Sequence, residues 1–279
     1  MLRTFLTVFA AAALLASTAT PSRAGAWTEA KGGYYDKFSF NYYYSDESFG
    51  SDGKRSNSAL DGKFHDRNLT NYLEYGITDR LTVINSLTYK WLRNEYDATV
   101  TRGDGLGDVD LGVKYKLIDS PKGGIVSSQL LVKIPGAYSK TDQLPLGNGQ
   151  YDTELRLLYG RSLYPAVPGY ANLEFGYRWR AGDPSDEIRY LVEFGVDLTR
   201  ALYARTKLDG TLSVDNGKML DGNGNPTATN NFDLGKLEVA LGYKITENWG
   251  VEATYTPSLY GQNTAAGATY SVGIFVKNP

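Results

Sequence analysis

From residue 34 onward, apolar and polar side chains trade places every second residue, in one short segment after another. A period of two belongs to an extended chain with two unlike faces, because successive side chains of a strand point to opposite sides. Residues 108–117 are the clearest case. Val109, Leu111, Val113, Tyr115 and Leu117 share one face; Asp108, Asp110, Gly112, Lys114 and Lys116 share the other. Similar segments begin near Phe38, Leu69, Leu81, Val126, Thr153, Ala171, Ile188, Leu202, Leu237, Val251 and Ala268. That makes about twelve strands, and no helical period competes with them. No internal run reaches the roughly 18 apolar residues that a membrane helix needs.

The turns differ in length along the chain. Those near residues 79, 121, 167, 200 and 247 are short, and those near 55, 100, 143, 223 and 262 are longer, with residues 94–106 read as one polar loop and the short loop near 184 as the exception. Short turns at one end and longer loops at the other are the pattern of bacterial membrane barrels. Alternation alone leaves open which face is inside. Eight strands already make an interior that side chains just fill, so a twelve-strand barrel has room for charge and water. A lipid-facing Arg or Lys costs about 2–4 kcal/mol at mid-membrane, and the apolar stripes carry almost none. The ionic stripe is therefore expected inside. Asp110, Lys114, Glu154, Arg156, Glu174, Arg178, Glu193 and Lys207 are the expected lumen-lining residues. Tyr42, Tyr44, Tyr75, Tyr89, Trp91, Tyr159, Trp179, Tyr243 and Trp249 lie toward stripe ends, where interfacial aromatic girdles belong.

The fold class is thus all-β, a transmembrane antiparallel up-and-down barrel over residues 25–279. Residues 1–24 read as a secretory signal peptide: Arg3, an apolar core from Phe5 to Ala16, and the small-x-small site Ser22-Arg23-Ala24, with Ala24-Gly25-Ala26 as the alternative. The absence of cysteine excludes disulfides, zinc–thiolate sites and thiol nucleophiles. A formal net charge of −2 gives no basic footprint for nucleic acid. Expected partners are outer-membrane lipids, the barrel-assembly machinery and a small-molecule solute.

Gly105-Leu106-Gly107-Asp108-Val109-Asp110-Leu111-Gly112-Val113-Lys114-Tyr115 resembles the G-x-G-D-x-x-L-G-x-K-Y strand of the phenol-degradation meta-pathway outer-membrane proteins. Lys133-Ile134-Pro135-Gly136, Gly147-Asn148-Gly149-Gln150-Tyr151-Asp152 and Glu74-Tyr75-Gly76-Ile77-Thr78-Asp79 resemble its neighbouring strand end, loop and turn. The resemblance implies a transporter-like barrel and passive uptake of small compounds, aromatic or hydrophobic ones among them. Against the related fatty-acid channels, a first strand at residue 34 leaves no N-terminal plug domain.

Chemistry of other kinds has little to stand on. His65 is the sole histidine and sits in a polar stretch beside Asp66; a lipid hydrolase would need it paired with a serine and an orienting acid. Asp221-Gly222-Asn223-Gly224-Asn225 starts like a calcium loop, but Pro226 takes the glycine position and Phe232 that of the bidentate glutamate. Gly103-Asp104-Gly105-Leu106-Gly107 precedes a strand, so the helix dipole of a phosphate loop is missing. No catalytic residue, metal or cofactor is expected. The alternatives to a channel are a structural or surface-interaction barrel and, further off, a lipid-modifying enzyme.

Overall fold

The computed structural model describes residues 25–97, 99–182, 184–216 and 231–278. Its strands are β1 (Tyr34–Ser45), β2 (Lys63–Thr78), β3 (Leu81–Tyr96), β4 (Thr99–Ser120), β5 (Gly124–Ile134), β6 (Asp152–Ser162), β7 (Gly169–Arg180), β8 (Glu187–Asp197), β9 (Leu202–Ser213), β10 (Asp233–Lys244), β11 (Trp249–Gln262) and β12 (Ala268–Asn278). Each pairs antiparallel with the next, and β1 pairs with β12 from Tyr34↔Asn278 to Tyr44↔Ala268, closing the ring. Closure matters because a bilayer offers no water to an unpaired strand edge. Three short segments, Glu47–Phe49, Arg55–Asn57 and Thr264–Ala265, form a separate small sheet at the long-loop end.

The alternation resolves as expected. Leu111, Phe175 and Val192 are 44%, 59% and 47% exposed on the outer wall, while Lys114, Glu154 and Asn172 are each 1% exposed inside. The fold is inside-out relative to a soluble barrel. Outward aromatics gather at two heights: Tyr89, Trp91, Trp179 and Tyr270 toward the long loops, and Tyr75, Tyr115, Tyr243 and Trp249 toward the short turns. A mainly apolar belt between two aromatic girdles is the outer wall of a barrel spanning the bacterial outer membrane.

Two expectations need correction. Residues 94–106 are not a loop: β3 runs to Tyr96 and β4 starts at Thr99, so the hairpin continues well past the belt. Beyond the bilayer both strand faces meet water, the apolar stripe has no reason to persist, and a strand there reads as polar loop. Gly103 to Gly107 accordingly lies within β4. His65, expected in a loop, is on β2 opposite Tyr44 of β1 and Arg93 of β3. The expected signal peptide and the Asp221–Asn225 segment lie outside the described residues.

The outward placement of Leu111 gives a direct test. Leu111→Arg should cost about 2–4 kcal/mol of folding free energy in a bilayer, read from denaturant titration of the protein refolded into lipid vesicles.

Candidate functional site

The inward face of β6 to β11 carries a continuous ionic network. Glu154 on β6 sits between two guanidiniums, 2.5 Å from Arg156 and 2.8 Å from Arg178. Arg156 reaches on to Glu174 at 2.5 Å. Further round, Arg205 bonds Glu238 at 2.8 Å and Glu252 at 2.9 Å, with Glu193 at 3.8 Å; Lys207 meets Glu238 at 3.2 Å. Glu252 also takes Lys37, so the network crosses back to β1. On the opposite wall Lys114 pairs with Glu74 at 2.8 Å.

The register explains these partners. Glu154↔Arg178 and Lys207↔Glu238 are directly opposed across neighbouring strands, and Arg156 lies two residues from Glu154 on the same face. Such cross-strand opposite charges stabilise a sheet face. Tyrosines fasten the network from the side: Tyr170 donates to Glu193 at 2.7 Å, Tyr203 to Glu252 at 2.9 Å and Tyr72 to Glu74 at 2.5 Å.

At the centre of the barrel lies a cavity of about 480 Å³. Asp110, Lys114, Arg156, Glu174, Arg178, Glu193 and Lys207 all line it; Glu154 stands behind them, clamped by its two arginines. Sequence reasoning passed over Lys37, Glu74, Arg189, Arg205 and Glu252, which line the same space. Their signal was present, since each occupies the polar phase of its strand. Counted among the lining residues, Lys37, Lys114, Arg156, Arg178, Arg189, Arg205 and Lys207 face Glu29, Glu74, Asp110, Glu174, Glu193, Glu238 and Glu252. The two signs balance, so the cavity has no strong bias toward either ion sign.

A segment that the period of two does not mark crosses this space. Residues 25–33 enter from the short-turn end and run across the interior from β2 to β7. Gly32 donates to the Gly76 carbonyl at 2.8 Å, and Gly76 to that of Gly33 at 2.9 Å. The Glu29 amide donates to Thr82 of β3 at 2.9 Å. Lys114 of β4 donates to the Gly25 carbonyl at 2.8 Å and Ser127 of β5 to that of Ala26 at 2.5 Å. The Ala26 amide donates to Asn172 of β7 at 3.2 Å. The Trp27 ring lies over Gly160 of β6, where a Cβ would sit 2.6 Å from it, and meets Tyr170 edge-on at 5.7 Å. Gly76 is needed in the same way, since a Cβ there would fall 1.9 Å from the Ala30 carbonyl oxygen. A first strand at residue 34 was expected to leave no N-terminal plug domain; the short segment ahead of it nonetheless lies inside the barrel as a strap.

The mouth at the long-loop end is narrowed too. The β5–β6 loop folds inward over β4, with Leu146 6% exposed and its carbonyl held by Lys90 at 2.9 Å. Tyr138 of that loop donates to Asp108 and accepts the Gly149 amide at 2.8 Å. Burial first, then the Asp108 carboxylate, pushes the Tyr138 phenol well above its ordinary range, so it stays a donor. His65 is outside all this. Its ring nitrogens meet Tyr42 at 2.9 Å and Glu95 at 3.3 Å on the outer wall, and among the described residues no serine joins it in the arrangement of a hydrolase.

No family model matches this chain, nor does any curated protein. Among solved structures it is similar to the COG4313 outer membrane channel from Pseudomonas putida F1, at 15% identity, over 91% of this chain and 98% of that one, with a TM-score of 0.73. The translocator domain of the autotransporter NalP from Neisseria meningitidis matches at 12% identity over 93% and 91% (TM-score 0.48), and the KdgM porin at 9% over 86% and 99% (TM-score 0.48). The first likeness is one of fold; the other two are too distant to carry an argument.

Because Glu154 is nearly water-free, its loss should be felt in stability. Glu154→Gln leaves Arg156 and Arg178 short of an anion and should lower stability by about 3 kcal/mol, measured as the denaturant midpoint in vesicles.

Proposed function

We propose that this chain is a passive channel for small molecules across the outer membrane. The observation that carries the reading is the balanced, ion-lined cavity inside a closed barrel. A structural barrel has no need of a water-accessible interior, and paired charges of both signs wet a path without trapping one ion. The outer membrane channel of Pseudomonas putida F1 shares the fold, which supports the reading.

The lining also bears on the solute. A hydrocarbon would have to displace water from carboxylates and guanidiniums and give nothing back. A small polar solute exchanges hydrogen bonds with them at little cost. Hydroxylated aromatics fit within that class, because Tyr35, Tyr72, Tyr170 and Tyr203 line the cavity beside the charges. This agrees with the resemblance to the phenol-degradation barrels, and it places the polar group of such a solute, rather than its ring, in charge of passage. Lys114, Arg156, Glu174 and Arg178 are the side chains that meet it, with a role that is electrostatic and not catalytic.

A second reading is a structural barrel without traffic. The strap favours it, since residues 25–33 obstruct the same space. The two readings part on one experiment. Single-channel recording should show small conductance for the intact protein and larger conductance once residues 27–32 are removed, with the signal and its cleavage residues left in place. Liposome swelling with small sugars and hydroxylated aromatics should follow the same order. Silence in both proteins would overturn the channel.

A further inference from the structure

At the long-loop end the outer wall carries a cluster of basic charge in one place. On β2, β3 and β4, at the aromatic girdle of the long-loop end and just past it, Lys63, Arg67, Arg93 and Arg102 are exposed. Register and alternation place them on the outward face, with the inward phase of β4 covered by Leu144 and Leu146 at Gly103 and Gly105. Arg93 stands directly opposite Arg102, and Arg67 opposite Trp91. Like charges directly opposed destabilise a sheet unless something lies between them. The nearby carboxylates are too few: Glu95 serves both Arg93 at 2.9 Å and His65 at 3.3 Å, and Asp104 accepts the Tyr89 hydroxyl at 3.0 Å. Among the described residues no carboxylate lies within ion-pair distance of Lys63, Arg67 or Arg102. The Arg67 guanidinium instead rests 5.8 Å over the Tyr42 ring.

The height of the patch identifies its environment. Leu106 is the last outward apolar residue on β4 before the patch, and Arg102 lies four residues beyond it, about 10 Å further up a tilted strand. The girdle residues Tyr42, Tyr89 and Trp91 lie between. Side chains there stand among lipid headgroups, and the long-loop end of such a barrel is the outer one. The same height on β6 to β8 is held by Thr153, Tyr177, Trp179 and Ile188, so the charge is local to one side of the barrel. The long β3–β4 hairpin holds the patch on paired strands rather than on a loop.

We propose that Arg67, Arg93 and Arg102, with Lys63, bind the phosphorylated headgroup of an outer-leaflet glycolipid whose acyl chains lie against β2–β4. A phosphate between Arg93 and Arg102 turns a repulsive pair into two charge-assisted contacts, and guanidiniums grip phosphate in the bidentate manner that lysines cannot. The proposal does not depend on whether the lumen conducts.

The test titrates purified, detergent-solubilised protein with bisphosphorylated lipid A and counts bound lipid by native mass spectrometry. Wild-type protein should bind it, and the Arg93→Gln/Arg102→Gln variant should bind about tenfold or more weakly. Arg67→Gln alone should show a smaller loss. Arg161→Gln, an outward residue at the short-turn end, should behave as wild type. Heat-shifted gel mobility verifies that each variant is a closed barrel. Unchanged binding by the double variant would overturn the proposal. So would equal binding of dephosphorylated lipid A or phosphatidylglycerol, or inorganic phosphate competing at the lipid's own concentration.

Discussion

The ladder between the first strand and the last carries this structure. Every backbone amide and carbonyl inside a bilayer must find a partner within the protein, and an open sheet would leave two edges without one. The β1–β12 pairing removes both edges at once. Everything else follows from that closed wall. The outer side chains can be purely apolar because the backbone needs nothing from the lipid, and the ring of twelve strands is wide enough to hold ions and water.

The interior answers a second constraint. Charges removed from bulk water are tolerated when each has a counterpart, and here the pairing register supplies one. Glu154 faces Arg178, and Lys207 faces Glu238, by virtue of strand position alone. The same network that steadies the wall also keeps the cavity polar. Structure and the proposed passage therefore draw on one set of side chains, which is why substitution of a fully enclosed member such as Glu154 is expected to act on stability before it acts on transport.

Much of this was legible in the amino-acid order, and the failures have physical causes. Strand number follows from a period of two, and closure and the inward phase of the eight named lining residues follow once that period is set in a bilayer. Alternation is informative only where the two faces meet different media. Above the bilayer both faces meet water, so the outer reach of β3 and β4 and the true setting of His65 looked like loop. The strap was hidden for another reason. Its partners are remote, Asn172 being 146 residues from Ala26, and nothing local marks a chain that will lie across a lumen. Ile84 and Leu158, apolar on the polar phase and 2% and 1% exposed, were faint signs of an interior surface meant to be covered.

Joining the two ends of the chain also fixes the order in which the molecule can come into being. The final seam has the greatest sequence separation in the fold, from Tyr34 to Asn278, so it forms after the hairpins rather than nucleating them, and topologies dominated by distant contacts are slow to form. Reversal is harder still. The seam holds eleven residue pairs, and parting them in hydrocarbon would bare them all together, with no solvent to receive them piecemeal. The persistence of this barrel is therefore a matter of rate: once zipped it endures because the route back is closed, whatever the depth of the free-energy well.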